Sequence, residues 1–401
     1  MKKVLVIVPS VTSVRGAGGV AIRWGEYVQE MKQNGWFVNV WTVDGYNQIP
    51  RFCVPYYPDM LADLPTVGYT WRLLNAIKNV DVVVSTDMYS SILIGLCCLA
   101  YGVPYVCSFH TDIVKSRYCD QKIINYFQKI TVRLSKCALT TSPSFSKELC
   151  KRGVDVTKWY KPVPVSECFK QCEDDLSATR IEMTNDNATR TILLYVGRWS
   201  PEKRIHLLTR AIPDLCTLCI LGDGSMAEEI ESWHNGYTIV VLRGFKPREE
   251  LVKYYSAADW IVSASDFETF GNVPYEAAFC GTPAILQDAQ GFVDQIDPDG
   301  YRGALVNFDS PEAINQVWAI VKTSMEPKLV VQTVLEQSQN GTTITKEIDL
   351  LLGKKGTFNP DAMFAAFCCG LFFQVILSLC KLVILTKRNI FSLRLTSDLD
   401  S

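Results

Sequence analysis

An α/β protein made of two doubly wound, Rossmann-like domains facing a cleft is predicted by three observations. Short apolar runs alternate with helical patterns, the rhythm occurs twice, and an aperiodic stretch separates the two series. Val4–Val8 is the first run, read as a buried parallel strand. Its charged start, Met1-Lys2-Lys3, resembles a signal peptide, but the run is short and leads into Gly16, Gly18 and Gly19 with no small-residue cleavage site. A helix over Val20–Asn34 follows, then a strand over Val38–Val43, a strand over Asp81–Ser85, a helix over Tyr89–Tyr101 and a strand over Val103–Ser108. The second series runs through Thr191–Val196, Cys216–Leu221, Thr238–Leu242, Trp260–Ala264 and Pro283–Leu286.

These elements divide the chain into a first domain over 1–153, a linker over 154–190 and a second domain over 191–325. The linker carries Pro162, Pro164, Asp174 and Asp175 with little periodicity. A polar connector is expected over 326–361. After it, 362–385 is almost wholly apolar, with Gln374, Ser378 and Lys381 as its polar members. That length suits a single C-terminal membrane anchor, with a buried or in-plane helix as the competing reading. The expectation is a membrane-associated protein with its two domains on the cytosolic or stromal side.

With 401 residues, 48% of them apolar, the chain can bury two full cores. A formal charge of −2 excludes a general nucleic-acid binder, which needs a basic excess. The 15 cysteines are scattered through apolar segments and read as reduced core thiols. Cys216 and Cys219 form a CxxC, but inside a strand-like run, and no metal-ligand spacing accompanies them. No metal or cofactor is expected.

Ligands of doubly wound sheets bind beyond the carboxyl ends of the strands, and the chemistry-bearing residues fall there. Gly16, Gly18 and Gly19 follow the first strand, where glycine lets a phosphate or hydroxyl approach the backbone. His110 lies past the strand ending at Ser108; it is either a satisfied structural histidine or a hydrogen-bond donor to a sugar. Arg198 and Lys203 are counter-charges suited to a diphosphate, or a surface cluster with Glu202. Gly222-Asp223-Gly224 and Gly244-Phe245 end two more strands and suit a nucleobase. Glu268 and Glu276 flank Phe270-Gly271-Asn272, with Glu276 expected where a helix begins. Beside a helix N-terminus, glutamates can bind sugar or ribose hydroxyls; the alternative is a capping glutamate with a solvated neighbour.

Gly197-Arg198 with Lys203, Gly222-Asp223-Gly224, and Glu268 with Glu276 together resemble the retaining glycosyltransferases of family 4, which have the GT-B fold. The resemblance covers roughly Met1 to Asp297. It implies that Arg198 and Lys203 hold the diphosphate of a UDP-linked donor, that Glu268 with Phe270, Gly271 and Asn272 touches the donor sugar, and that Glu276 binds ribose. His110 and the Gly16–Gly19 loop become cleft residues. Ser108-Phe-His-Thr-Asp and the Glu-Thr-Phe-Gly run look most like sulfoquinovosyl-diacylglycerol synthases and related lipid glycosyltransferases. Where the family often shows Gly-Val-Asp near the end of the linker, this chain has Val163-Pro164-Val165-Ser166-Glu167, and Pro274 before the second glutamate could shift the start of that helix. Between Ile113 and Arg152, basic residues interspersed with Tyr118, Tyr126 and Phe127 suit an anionic membrane surface. The expected partners are a nucleotide-sugar donor and a lipid acceptor. A nucleotide-sugar epimerase and a non-catalytic, membrane-tethered binder are the rival readings.

Overall fold

The structure, a computed structural model, describes residues 1–9, 19–42, 51–54, 57–63, 66–88, 90–112, 121–156, 158–159, 169–187, 189–297, 299–323, 326–337, 343–351 and 353–372. Its strands are β1 (Lys3–Val8), β2 (Phe37–Thr42), β3 (Arg51–Val54), β4 (Tyr57–Asp63), β5 (Val82–Thr86), β6 (Tyr105–Phe109), β7 (Cys137–Thr140) and β8 (Lys158–Trp159) in the first domain. The second holds β9 (Thr191–Arg198), β10 (Cys216–Asp223), β11 (Ile239–Arg243), β12 (Trp260–Ser263), β13 (Ala284–Gln287) and β14 (Gly303–Val306). Two six-stranded sheets result, ordered β2-β1-β5-β6-β7-β8 and β11-β10-β9-β12-β13-β14, and β3-β4 is a separate antiparallel hairpin. Every pairing within the large sheets is parallel. The apolar runs therefore form the central strands, because a parallel sheet covered on both faces leaves no polar side.

Helices α1 (Gly19–Gln33), α2 (Val67–Ile77), α3 (Ser91–Ala100), α4 (Gln121–Leu134) and α5 (Pro143–Lys151) belong to the first domain. Thr66 and Ser142 cap α2 and α5, each accepting a backbone N–H from the first turn, and Pro143 opens α5 where its missing donor costs nothing. In the second domain come α6 (Ser177–Thr184), α7 (Ile205–Leu208), α8 (Ala227–Ser232), α9 (Arg248–Ala257), α10 (Asn272–Phe279), α11 (Ala313–Val321) and α12 (Pro327–Gln337). Met183 of α6, Tyr255 of α9 and Val334 of α12 share one core with α10, on one face of the sheet. Ile205, Ile230 and Val317 fill the core on the opposite face.

Residues 154–190, expected as linker, hold structure at both ends. Lys158 and Trp159 extend the first sheet as β8, while Phe169 and α6 lie in the second domain's core. The polar connector over 326–361 is likewise structured. Beyond α12, α13 (Ile344–Leu351) returns to the first domain, and its Ile344 and Ile348 pack with Val4, Trp24 and Trp36. Its polarity is that of an amphipathic helix with one buried face.

The apolar run over 362–385 is split. A helix over 360–372, α14, buries Ala362 and Ala366 against the core beneath α2 and α3. Gly370 lies so close to α2 that a Cβ would stand 2.5 Å from Thr70 Oγ1. Residues 373–385 lie outside the described residues. Among the described residues no helix is long and apolar enough to cross a membrane. Cys216 and Cys219 are buried free thiols of β10, and no group of side chains among the described residues could hold a metal ion.

Candidate active site

The second domain's strand ends supply most of the site. In the β9–β10–β11 register Gly222 stands opposite Gly197 and Arg243, and Asp223 opposite Arg198. A Cβ on Gly222 would lie 1.9 Å from the Gly197 carbonyl oxygen, so the close approach of these strand ends requires glycine. Asp223 accepts from the Gly224 amide at 2.8 Å and from Arg243 Nε at 3.3 Å. Gly244 donates its amide to the Gly222 carbonyl at 2.8 Å, and the Phe245 ring beside it is exposed. Arg243, which precedes Gly244 in the sequence, thereby ties the two expected nucleobase turns together.

Arg198 ends β9 with its side chain 70% exposed, and Glu202 stands 3.6 Å away. Lys203 closes a short 3-10 turn over Pro201–Lys203 and forms an ion pair with Glu268, in the loop after β12. The two cations thus differ. Arg198 is free to swing onto a ligand, whereas Lys203 is already held against the carboxylate expected to touch the sugar. That carboxylate's backbone is fixed as well, since Gly291 donates its amide to the Glu268 carbonyl at 2.8 Å.

The helix after this loop starts earlier than the sequence suggested. It begins at Asn272, and Glu276 sits in its second turn. Pro274 falls within the first turn, where proline is tolerated, so it does not delay the start. Gly271 precedes the helix at φ +88°, and a Cβ there would meet the Phe292 ring at 2.7 Å. Glu276 Oε2 accepts from the Tyr255 hydroxyl at 3.0 Å. Loss of solvent pushes its carboxyl up to about 7, against the pull of Tyr255, Arg248 and Arg23.

The first domain meets this loop directly. His110, just past β6, is buried, with Nε2 3.1 Å from Ser108 Oγ and its ring 5.3 Å from that of Trp24. Burial, helped by the Arg23 charge, holds the imidazole well below its ordinary range, so it is neutral at physiological pH. Its carbonyl accepts from the Thr269 hydroxyl at 2.5 Å, and the Thr269 carbonyl accepts from Thr141 at 3.1 Å and Ser142 at 2.7 Å. Ser142 therefore caps α5 and grips the opposite domain with one hydroxyl. Gly19 opens α1, whereas Gly16 and Gly18 lie outside the described residues.

Arg23 was missed by the sequence reading. It is 6% exposed on α1, donates to Asn272 Oδ1 at 2.7 Å and lies 4.3 Å over the Phe270 ring. Its signal was an arginine set between apolar Ala21 and Trp24 on a helix face that should be buried. Beside it, Glu26 accepts from Arg248 at 2.9 Å. Asp112, 1% exposed, takes both Arg152 nitrogens at 2.7 Å and Gln290 Nε2 at 3.1 Å.

Two parallel-sheet domains that meet across their strand ends, one carrying cations and carboxylates and the other a neutral histidine, define a GT-B glycosyltransferase. The chain belongs to that family: residues 17–167 match the model described as Glycosyltransferase Family 4, and residues 179–325 match Glycosyl transferases group 1. It is 29% identical to the sulfoquinovosyl transferase of Arabidopsis thaliana over 51% of this chain and 42% of that protein. A GDP-mannose-dependent alpha-mannosyltransferase of Mycobacterium tuberculosis is 28% identical over 59% of this chain and 63% of its own length. The alpha-monoglucosyldiacylglycerol synthase of Streptococcus pneumoniae is 27% identical over 40% and 36% respectively. The chain thus spans between 36% and 63% of these relatives. Among solved structures, Anabaena HepE in complex with UDP superposes with a TM-score of 0.64 at 16% identity, covering 87% of this chain and 98% of that one.

Proposed function

We propose that the protein transfers a hexosyl unit from a UDP-sugar to a lipid hydroxyl, with retention at the anomeric carbon. The observation that carries the transferase reading is the Lys203–Glu268 pair, held between the ends of β9 and β12 and against the His110–Thr269 junction. A diphosphate entering beside Lys203 competes with Glu268 for the ammonium and leaves the carboxylate to accept sugar hydroxyls. Arg198, exposed beside it, adds a planar fork of donors for the same diphosphate. As the glycosidic bond to phosphate breaks, positive charge develops on the sugar and negative charge on the leaving group. Lys203, Arg198 and the amides of Asn272 and Val273 at the start of α10 stabilise the latter.

No second carboxylate is needed as nucleophile, because the leaving phosphate can take the acceptor's proton on the same face. Neutral His110 serves as a hydrogen-bonding group at the acceptor side rather than as a cation. Glu276 binds ribose hydroxyls. UDP as carrier is supported by the UDP complex of the Anabaena protein, sulfoquinovose by the name of the Arabidopsis relative, and a glycerolipid acceptor by the name of the Streptococcus relative. Sulfoquinovose transfer to diacylglycerol is the most specific form of this reading.

Membranes containing the protein, incubated with a panel of labelled UDP-sugars, should yield one glycolipid identified by mass spectrometry. Arg198→Ala combined with Lys203→Ala should abolish it. Full turnover in that double variant, or release of an epimerised sugar nucleotide without acceptor, would overturn the reading.

A further inference from the structure

Gln290 is held in a conformation that its own side chain disfavours. It stands at φ +41°, in the left-handed region, and its Oε1 is buried and finds no hydrogen-bond partner among the described residues. Both features are unfavourable, and glycine at this position would be free of both. The surroundings show what the side chain does instead.

The first domain grips Gln290 at both ends. Its Nε2 donates to Asp112 Oδ2 at 3.1 Å, and its carbonyl accepts from Ser144 Oγ at 2.9 Å. Asp112 is a fixed anchor, since Arg152 holds both of its oxygens at 2.7 Å. An ionised carboxylate only accepts, so it takes the amide nitrogen of Gln290 and leaves the oxygen over. Further on, Asp294 accepts the Ser144 amide at 2.9 Å, which ties the start of α5 to the 3-10 turn Gln290–Phe292 a second time. That turn lies backbone to backbone against the loop carrying Glu268. A Cβ on Gly291 would stand 2.5 Å from the Thr269 carbonyl carbon, the Gly291 amide fixes the Glu268 carbonyl, and the Phe292 ring packs on Gly271.

We propose that Gln290 is a positioning residue for transfer: anchored on Asp112 and Ser144 of the first domain, it sets the Gly291 amide and through it the backbone of Glu268. The loop that carries Glu268 takes its working geometry only while the first domain is docked on Gln290. A residue selected for the backbone alone would be glycine, and glutamine adds the carboxamide that reaches Asp112. The expected nucleobase turns end other strands, β10 and β11, so UDP affinity is independent of this contact. The proposal rests on the role given above to Glu268.

The full chain carrying Gln290→Gly is compared with wild type by UDP titration, thermal unfolding and turnover of the UDP-sugar that wild-type membranes accept. The kcat should fall about tenfold, while UDP Kd and Tm stay as in wild type, because glycine relaxes the backbone as it removes the anchor. Gln290→Glu should lose more, since its carboxylate would face Asp112. Gln290→Glu/Asp112→Asn should recover to within about threefold of wild type, amide and carboxylate having changed places. If that pair fails to fold, Gln290→Gly decides alone. Wild-type kcat in Gln290→Gly, a fall accompanied by loss of Tm or UDP affinity, or no recovery in the folded pair would overturn the proposal. Glu268→Gln is measured alongside. Normal turnover there would sink the role of Glu268 and this proposal with it, whereas impaired turnover beside a normal Gln290→Gly would sink this proposal alone.

Discussion

Arg23 and Asn272 lie 249 positions apart in the sequence and are joined by a 2.7 Å hydrogen bond from one domain to the other. The same guanidinium covers the Phe270 ring, so one cation of the first domain fixes both residues that flank Gly271. Arg23→Gln should therefore raise the donor KM and lower kcat/KM by about tenfold to a hundredfold, equivalent to about 1.4 to 3 kcal/mol of transition-state binding. Steady-state kinetics at varied donor concentration check this. Unchanged kinetics would mean that the contact only joins the domains.

Lys203 and Glu268 are expected to act as a unit. Lys203→Ala and Glu268→Gln should each reduce kcat about a hundredfold or more, and the double variant should be no worse than roughly the poorer single one. A double-mutant cycle measured on turnover tests it; additive losses would show two independent roles.

If Glu276 binds the donor's ribose as proposed, donor affinity should be pH-dependent. With its carboxyl pushed up to about 7, ionisation occurs between slightly acid and slightly alkaline pH, and only the carboxylate accepts both ribose hydroxyls. Donor Kd should fall by about tenfold from pH 6 to pH 8, and Glu276→Gln should flatten the profile. Calorimetric titration with the nucleotide reads this directly. For stability the sign is opposite. A carboxyl raised in the fold favours the native state while protonated, so this contribution is present at low pH and fades as pH rises from the ordinary glutamate range through about 7.

Arg152→Ala would remove the guanidinium that pairs with both oxygens of the buried Asp112 carboxylate. The expected cost is about 3 kcal/mol, visible as a lower urea midpoint. Arg152→Lys should recover part of it, because one ammonium cannot reproduce two parallel bonds.

Gly222→Ala should be more damaging than its size suggests. The added methyl would enter the Gly197 carbonyl, separating β9 from β10 at the expected donor site. Loss of soluble expression, or a drop of about 3 kcal/mol or more with loss of nucleotide binding, is the expected outcome.

The central strands were legible because burial on both faces writes them as unbroken apolar runs, as in Val82–Thr86 and Cys216–Asp223. Some short strands were not, although the edge strands β2 and β11 are legible as Val38–Val43 and Thr238–Leu242. Cys137–Thr140 has four residues inside a basic region, and Gly303–Val306 starts with a glycine. Residues expected at strand ends stand at strand ends or in the loops just after them, among them His110, Asp223 and Glu268. What the sequence concealed depends on partners distant in the chain. Arg23 is explained only by a loop of the other domain, and α13 reads as polar until its partners at Val4 and Trp36 are known. Pro274 could shift the helix start, yet it occupies the first turn, which accepts it.

The return of α13 and α14 to the first domain has a consequence for synthesis. Val4, Leu5 and Trp36 leave the ribosome before the second domain, but Ile344, Ile348, Ala362 and Ala366, which complete the packing around them, emerge only after it. Domains ordinarily fold in the order in which they are made. Here the N-terminal sheet must wait with two flanks uncovered while the C-terminal domain, whose core draws on 169–334, can close first. Nascent chains stalled shortly after residue 337 should therefore resist protease across the second domain while the first is still cut.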